Sequence, residues 1–547
     1  MLDRLRDKSN AHREFMLLLI LYISFRLMTR LLYRPGGLIY DYSDYYFFRA
    51  VAELSNQGYY PFIHYWMEYP PLFPWLNVGI YRLSLLIPLW VEPRFWFYTL
   101  LSLATLPFEI GNLSVLYLIA LELYNRAKAL RCAWIYACLF APLYTWTGWF
   151  DGIPLFFLLL ALYYLLRQRG RLAGLTTGLG FMVKVTPALL LPLSLRSLAG
   201  LSKKIGYLAL AALTMALISL PFLLIRPAFF LASFRSMLER SSWETIWALM
   251  DGYFSYGLLP ANRFDPTIDF ATHSSHLPWL WITVAFGLVY LWLYTRRVDW
   301  QDQRVITAFA GLSVNLFFMY SKGYSPQMAV TLMPFIVLLL PNLRGGIYLL
   351  LLTAIDFLEG TAYFIIFPEE RWLLVGTVLS RSALILALAI EYGLIFFSFD
   401  SLRVERIKRR VFWTLVALLL LAACAAVYPL SKAYVENRYA QEEYRPVIEL
   451  LRTEAEKGTA CLVLTDQPLY LRFYPWMRKY MDLYLVEDEE QITEAATICN
   501  ELWLFRGGEV TPAVKEWLEK HARLVKDHDF DQGQLLRYAV RQVGDVE

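Results

Sequence analysis

A chain of 547 residues that is 58% hydrophobic, 17% aromatic and only 18% charged has too little polar surface to coat soluble globules of that size. A bilayer must solvate most of it. The formal net charge of +4 is small, and the basic residues fall in short clusters between apolar stretches, which argues against nucleic acid as a partner.

In chain order, a basic start runs into an apolar stretch at 15–33 that continues through Arg26 and Arg30 with no small-residue cleavage site, so it reads as a retained first span. Further runs long enough, or nearly so, to cross a bilayer follow at 95–123, 132–147, 152–166, 205–225, 278–296, 304–320, 326–341, 345–366, 371–396 and 411–430. That makes about eleven crossings, or about thirteen membrane helices with the short stretches 172–183 and 187–196. Those two are divided by Lys184-Val185-Thr186-Pro187 and read as a broken or re-entrant hairpin.

The clusters Arg4 to Arg13, Arg126-Ala127-Lys128, Arg167 to Arg171, Lys203-Lys204, Arg296-Arg297, Arg344 and Arg403 to Arg410 then share one side, as cytoplasmic loops should. Counting Leu72 to Trp90 as a further span would export two of them. That segment is therefore expected to be an amphipathic helix inside the first external loop. The N-terminus falls in the cytoplasm, and the outer face collects the loop 34–94, the turn 148–151, the loop 226–277, the turn 321–327 and the tail from 431.

After this module at 1–430, the tail at 431–547 changes character. Helical patterns (445–457, 489–499, 512–521) alternate with strand-like runs (461–465, 482–486, 501–505), predicting a small extramembrane α/β domain. It has no GxGxxG or P-loop to hold a nucleotide. Of five cysteines, Cys461 and Cys499 lie in this polar tail, where one disulfide can form, and no CxxC or Cys/His spacing points to zinc.

Candidate chemistry begins just past the first span, in Tyr40-Asp41-Tyr42-Ser43-Asp44-Tyr45. Charge among aromatics at a membrane surface is costly. Asp41 or Asp44 can act as the general base that deprotonates an acceptor hydroxyl in glycosyl transfer, or can simply solvate the loop with a salt bridge to Arg49. Glu68 and Tyr69 lie in a rigid Pro/aromatic segment able to shape a groove, with a structural turn or a rim charge as the alternative, and the isolated His64 reads as a hydrogen-bonding side chain rather than a metal ligand. Lys184, Lys322 and Arg240 suit a phosphate leaving group at headgroup level. Lys184 can instead snorkel or pair with Glu109. Asp151 can line the pocket or cap the next helix.

The order of these segments resembles the C superfamily of membrane glycosyltransferases, most nearly the polyprenol-phosphate-mannose-dependent mannosyltransferases of glycosyltransferase family 87. The family's Asp, aromatic, Ala-rich helix, Gly and Pro-aromatic match Asp44, Phe48, Ala50 and Ala52, Gly58, Pro61 and Phe62. Tyr69-Pro70-Pro71-Leu72, Lys184-Val185-Thr186-Pro187, the stretch Arg240 to Leu249 and Ser325-Pro326-Gln327-Met328 match further motifs. Gly148-Trp149-Phe150-Asp151 lacks the family's Gln, and Met328 replaces an aromatic.

The likeness covers about residues 15–400. It implies an inverting transfer from a polyprenyl-phosphate monosaccharide, often mannose, to a glycan, glycolipid or protein acceptor on the outer face. No nucleotide sugar and often no metal takes part. Asp44 would be the catalytic base with Asp41 auxiliary, Lys322, Lys184 and Arg240 would hold the phosphate, and Gln327 would lie in a substrate-binding motif. The tail is expected to bind the acceptor or shield the pocket.

A flippase of lipid-linked saccharides is the competing class. It calls for inverted repeats with broken helices in both halves, and one break, at Lys184, stands out. A membrane scaffold for the tail leaves the two aspartates without purpose.

Overall fold

The computed structural model describes residues 12–32, 43–88, 92–260, 262–367, 370–398, 402–442, 444–455, 459–465, 473, 477, 480–506, 510–530 and 533–540. Asp41 lies outside them. The chain divides into two compact units, Met1–Leu419 and Leu420–Glu547.

Among the described residues, six helices are long and apolar enough to cross a membrane: Arg13–Leu32, Phe95–Leu123, Leu201–Ile225, Leu343–Phe364, Arg371–Phe396 and Arg409–Pro429. This is an integral membrane protein built mostly of helix. The apolar helices Gly152–Leu166, Trp279–Tyr294 and Pro326–Leu339 are shorter. Leu201–Ile225 and Arg409–Pro429 are each only 11% buried over their most apolar window, so lipid rather than protein must cover their side chains.

The run 132–147 is not one helix. It breaks into Arg126–Ala137 and Phe140–Gly148 because Leu139 turns extended and Pro142 has no N–H to return to the Cys138 carbonyl. The broken hairpin forms as a helix at Gly170–Phe181, a 3-10 turn at Thr186–Leu189 and a second helix at Leu190–Ser197, with Lys184 in the gap. Gly170, Gly174 and Gly178 form a side-chain-free stripe that meets the backbone of Leu201–Ile225, where any Cβ would collide.

Inside the first loop, Leu72–Ser84 is a helix that buries Phe73, Val78 and Tyr81 against Tyr45–Glu53 and the start of Phe95–Leu123. This aromatic layer, completed by Phe48, Phe97, Tyr98 and Phe150, is the floor on which the polar groups below stand.

The second unit holds a five-stranded sheet of β1 (Ala460–Leu464), β2 (Asp482–Leu485), β3 (Glu501–Arg506), β4 (Ala522–Phe530) and β5 (Gly533–Val540), in the order β2-β1-β3-β5-β4. β2, β1 and β3 run parallel, and β5 and β4 complete an antiparallel edge. Alternate residues of β1 feed two separate cores: Leu462 and Leu464 pack with Val447 and Leu451, Cys461 and Val463 with Ile492 and Trp517. Cys461 and Cys499 are joined as a disulfide.

Candidate active site

Asp44 sits immediately before the helix Tyr45–Glu53, in a turn held from below by its neighbours. The Tyr45 hydroxyl donates to the Trp146 carbonyl (3.2 Å), and the Phe48 ring meets Tyr69, Phe73 and Phe150 edge-on. Gly148 lies against Ser43 so closely that any side chain there would collide with the serine. The first loop and the turn 148–151 are thus packed together, bringing Asp151 toward Asp44.

Asp151 starts the helix Gly152–Leu166, but its carboxylate does not cap it. It accepts instead from Lys184 Nζ at 2.5 Å, both side chains being nearly sealed from solvent. Lys184 therefore pairs with Asp151 and not with Glu109, which Arg26 takes at 3.3 Å. Glu68 is paired with Arg263 at 2.6 Å. Arg49 is paired with Glu53 rather than with Asp44.

Asp44 has no ion pair among the described residues. Burial pushes its carboxyl up first, and the charges of Asp151 and Glu68 push it further; Lys184 and a hydrogen bond from Trp149 pull the other way, leaving it at about 7. Burial also raises the Tyr69 phenol far above its ordinary range, with Asp44, Glu68 and Asp151 facing it and Arg240 opposing them. Arg240 is lowered by burial, while Tyr69 and Glu68 counter that effect. The cleft thus holds three carboxylates (Asp44, Asp151, Glu68) and three cations (Lys184, Arg263, Arg240) around one phenol.

Lys322 is not among them. Its ammonium donates to the Leu238 carbonyl (2.7 Å), and the charges acting on it are Glu239 and Asp251. His64 accepts the Tyr60 N–H on Nδ1 (3.0 Å), a turn-forming role. Gln327 offers its carbonyl to Thr145 (3.3 Å) from the 3-10 turn Pro326–Thr331.

Sequence reasoning missed Trp149, treated only as a departure from a motif, although its side chain acts on the Asp44 carboxyl and lowers it. It missed Arg263, one cation among many in a long loop. It also missed four charged groups behind Arg240: Glu244, Asp356, Glu359 and Arg381, all buried. Three of them fall inside apolar runs, where an ionisable residue is itself a signal. Burial and the neighbouring Glu359 raise the Glu244 carboxyl well above the usual range. No group of three His, Cys, Asp or Glu suited to a metal occurs among the described residues.

Residues 66–321 match the model of glycosyltransferase family 87. The resemblance drawn from the ordered motifs is therefore to a glycosyltransferase family, in a chain equipped to span a membrane. The matched segment carries Glu68, Tyr69, Asp151, Lys184, Arg240 and Arg263, while Asp44 precedes it. No curated protein sequence matches the chain.

Among solved structures, the chain resembles ArnT from Cupriavidus metallidurans bound to undecaprenyl phosphate, at 13% identity over 96% of this chain and 99% of that one, with a TM-score of 0.38. It also resembles the apo oligosaccharyltransferase of Archaeoglobus fulgidus, at 12% identity over 89% of this chain and 69% of that one, with a TM-score of 0.30. These likenesses are loose, and the family match is the finding that bears on identity.

Proposed function

We propose that the chain is an inverting glycosyltransferase that moves a monosaccharide, mannose by its motif likeness, from a polyprenyl phosphate to an acceptor hydroxyl on the extracytoplasmic face. The observation that carries this reading is Asp44, a carboxyl with no ion pair among the described residues, raised to about 7 and acted on by the Lys184 ammonium that Asp151 fixes. A base near neutrality is half ionised at working pH yet strong enough to take a proton as the hydroxyl attacks.

In the step proposed, the acceptor oxygen bonds to the anomeric carbon while the sugar–phosphate bond breaks, its electron pair leaving with the phosphate oxygen. Asp44 receives the acceptor's proton. One displacement with one base inverts the anomeric centre, whereas retention needs a second carboxylate as nucleophile. Lys184 and Arg240 compensate the charge that develops on the phosphate, in a site dry enough for that attraction to count. Tyr69, packed over the aromatic floor, offers a ring against which a sugar can lie. Lys322 fastens the end of the loop helix Pro227–Glu239 rather than holding phosphate.

On this reading the shorter apolar helices also cross the membrane, to give about eleven to thirteen in all. The N-terminus is cytoplasmic and the unit at Leu420–Glu547 extracytoplasmic. The buried Cys461–Cys499 disulfide supports that side, because such bonds persist outside the reducing cytosol.

The test is transfer of radiolabelled sugar from a panel of synthetic polyprenyl-phosphate donors by protein reconstituted in vesicles. Wild type is expected to transfer, and Asp44→Asn to lose about 10²- to 10⁴-fold in rate. Full activity in Asp44→Asn defeats the assignment of the base. A wild type that moves the lipid across the bilayer without transferring its sugar favours the flippase.

A further inference from the structure

The geometry points to Arg381 as a positioning residue that sets Arg240 in the cleft by clasping the loop segment that carries it, a role that rests on the transfer reading above. Arg381 lies on the helix Arg371–Phe396 and is 2% exposed. One Nη donates to the Glu359 carboxylate at 2.5 Å, the other to the backbone carbonyl of Glu244, and the guanidinium stacks 3.9 Å from the centre of the Tyr324 ring. A single side chain therefore ties together its own helix, the π-helical stretch Leu358–Ile366, the loop at 240–246 and the turn at 321–325. Wide helical turns of this kind recur where a fold places functional groups.

What the clasp fixes is visible at the residue whose carbonyl it holds. Glu244 has φ +51°, a left-handed conformation that a residue with a side chain holds only when its surroundings insist. Arg381 on its carbonyl and the Ser325 hydroxyl on its carboxylate (3.3 Å) supply that insistence. The reversal lets Trp243 pair with the external turn: Trp243 N–H donates to the Lys322 carbonyl (3.0 Å), Tyr324 N–H to the Trp243 carbonyl (3.2 Å), and the indole N–H to Ser325 Oγ (3.1 Å). The indole fills the space a side chain on Gly323 would need.

Arg240 then stacks on Trp243 with its guanidinium carbon 3.6 Å from the ring centre. It spends one N–H on the Gly257 carbonyl (3.1 Å) and keeps a buried Nε with no partner among the described residues. The charges of Glu68 and Arg263 act on it, so the stacked guanidinium lies within electrostatic reach of the cleft. The route from Arg381 to the cleft runs by contact to Glu244, along the chain to Trp243, and by contact again to Arg240.

The experiment is donor kinetics in reconstituted vesicles for Arg381→Lys and Gly323→Ala, each made in the wild-type and the Arg240→Ala backgrounds. Lysine keeps the charge but cannot reach both oxygens, while Gly323→Ala displaces the Trp243 ring from the opposite side and leaves Arg381 untouched. Each variant is expected to raise the donor KM by roughly tenfold, with a smaller change in kcat, and to lose that effect when Arg240 is already alanine. An equal penalty in both backgrounds, or no penalty in either, overturns the clasp while leaving the transfer reading intact. Should Arg381→Lys fail to fold, Gly323→Ala gives the same discrimination. A wild type that transfers sugar from none of the donors overturns the transfer reading and takes this role with it.

Discussion

Two carboxylates in the same half of this molecule, Glu109 buried and Asp44 half-buried, are treated in opposite ways. Glu109, deep between the helices Arg13–Leu32 and Phe95–Leu123, receives Arg26 at 3.3 Å and the Tyr22 hydroxyl at 3.3 Å, while the Arg26 guanidinium lies 3.4 Å from the centre of the Tyr22 ring. One acid meets one base, although Glu109 Oε1 and Arg26 Nε have no hydrogen-bond partner among the described residues. In the cleft, Lys184 is committed to Asp151 and Arg263 to Glu68, so Asp44 is the carboxyl left without an ion pair among the described residues. A closed pair holds helices together; a surplus carboxyl among like charges is costly to the fold and ready to take a proton.

The largest effect that separates the two belongs to Asp44→Asn. Loss of transfer by about 10²- to 10⁴-fold is expected together with stability equal to or above wild type at alkaline pH. The sign follows from linkage. A carboxyl whose folded value is raised favours the fold when protonated, and that contribution disappears as pH rises through about 7. Asparagine does not titrate, so the variant escapes the decline, which melting curves between about pH 4 and 8 will reveal. A variant that loses stability in step with activity breaks the comparison.

Glu109→Leu should do the reverse. It strands the Arg26 guanidinium in an apolar setting and is expected to cost about 3–5 kcal/mol in detergent unfolding, while the protein that remains folded keeps its donor KM. A smaller loss comes from Gly148→Ala, whose methyl must push the Ser43 side chain aside at the junction of the first loop and the turn 148–151. Overpacking of that kind costs about 1–3 kcal/mol, and here it should lower kcat as well, because Ser43 adjoins Asp44.

Much of this arrangement was legible in the residues. Long apolar runs and the break at Lys184 follow from composition and from Pro187, and Asp44, Tyr69, Asp151 and Lys184 were picked out before their convergence was visible. What sequence could not supply was pairing. Nothing in the spacing says that Lys184 answers Asp151 rather than Glu109, or that Lys322 spends its charge on the Leu238 carbonyl. These partners lie far apart in the chain, and a side chain's reach depends on how the helices cross. Trp149 was passed over for the same reason: a motif match asks for Gln at that place, whereas the indole that stands there acts on the Asp44 carboxyl and lowers it. The buried charges at Glu359 and Arg381 stand inside apolar runs and are signals of the same kind as Glu109 and Arg26.

The finest test of the comparison uses pH alone. Transfer by wild type should rise with pH through an acid limb near 7, because only ionised Asp44 accepts the proton. Asp151→Asn removes the largest neighbouring charge that raises Asp44 and frees Lys184 from its present partner, and both changes favour the ionised form. The limb should therefore move to lower pH, even if the maximal rate falls because Lys184 is held less firmly. Lys184→Met removes a cation that lowers Asp44, so its limb should move to higher pH. Opposite displacements in the two variants identify Asp44 as the titrating base. A limb that ignores both substitutions belongs to another group, and Asp44 would then be no more functional than Glu109.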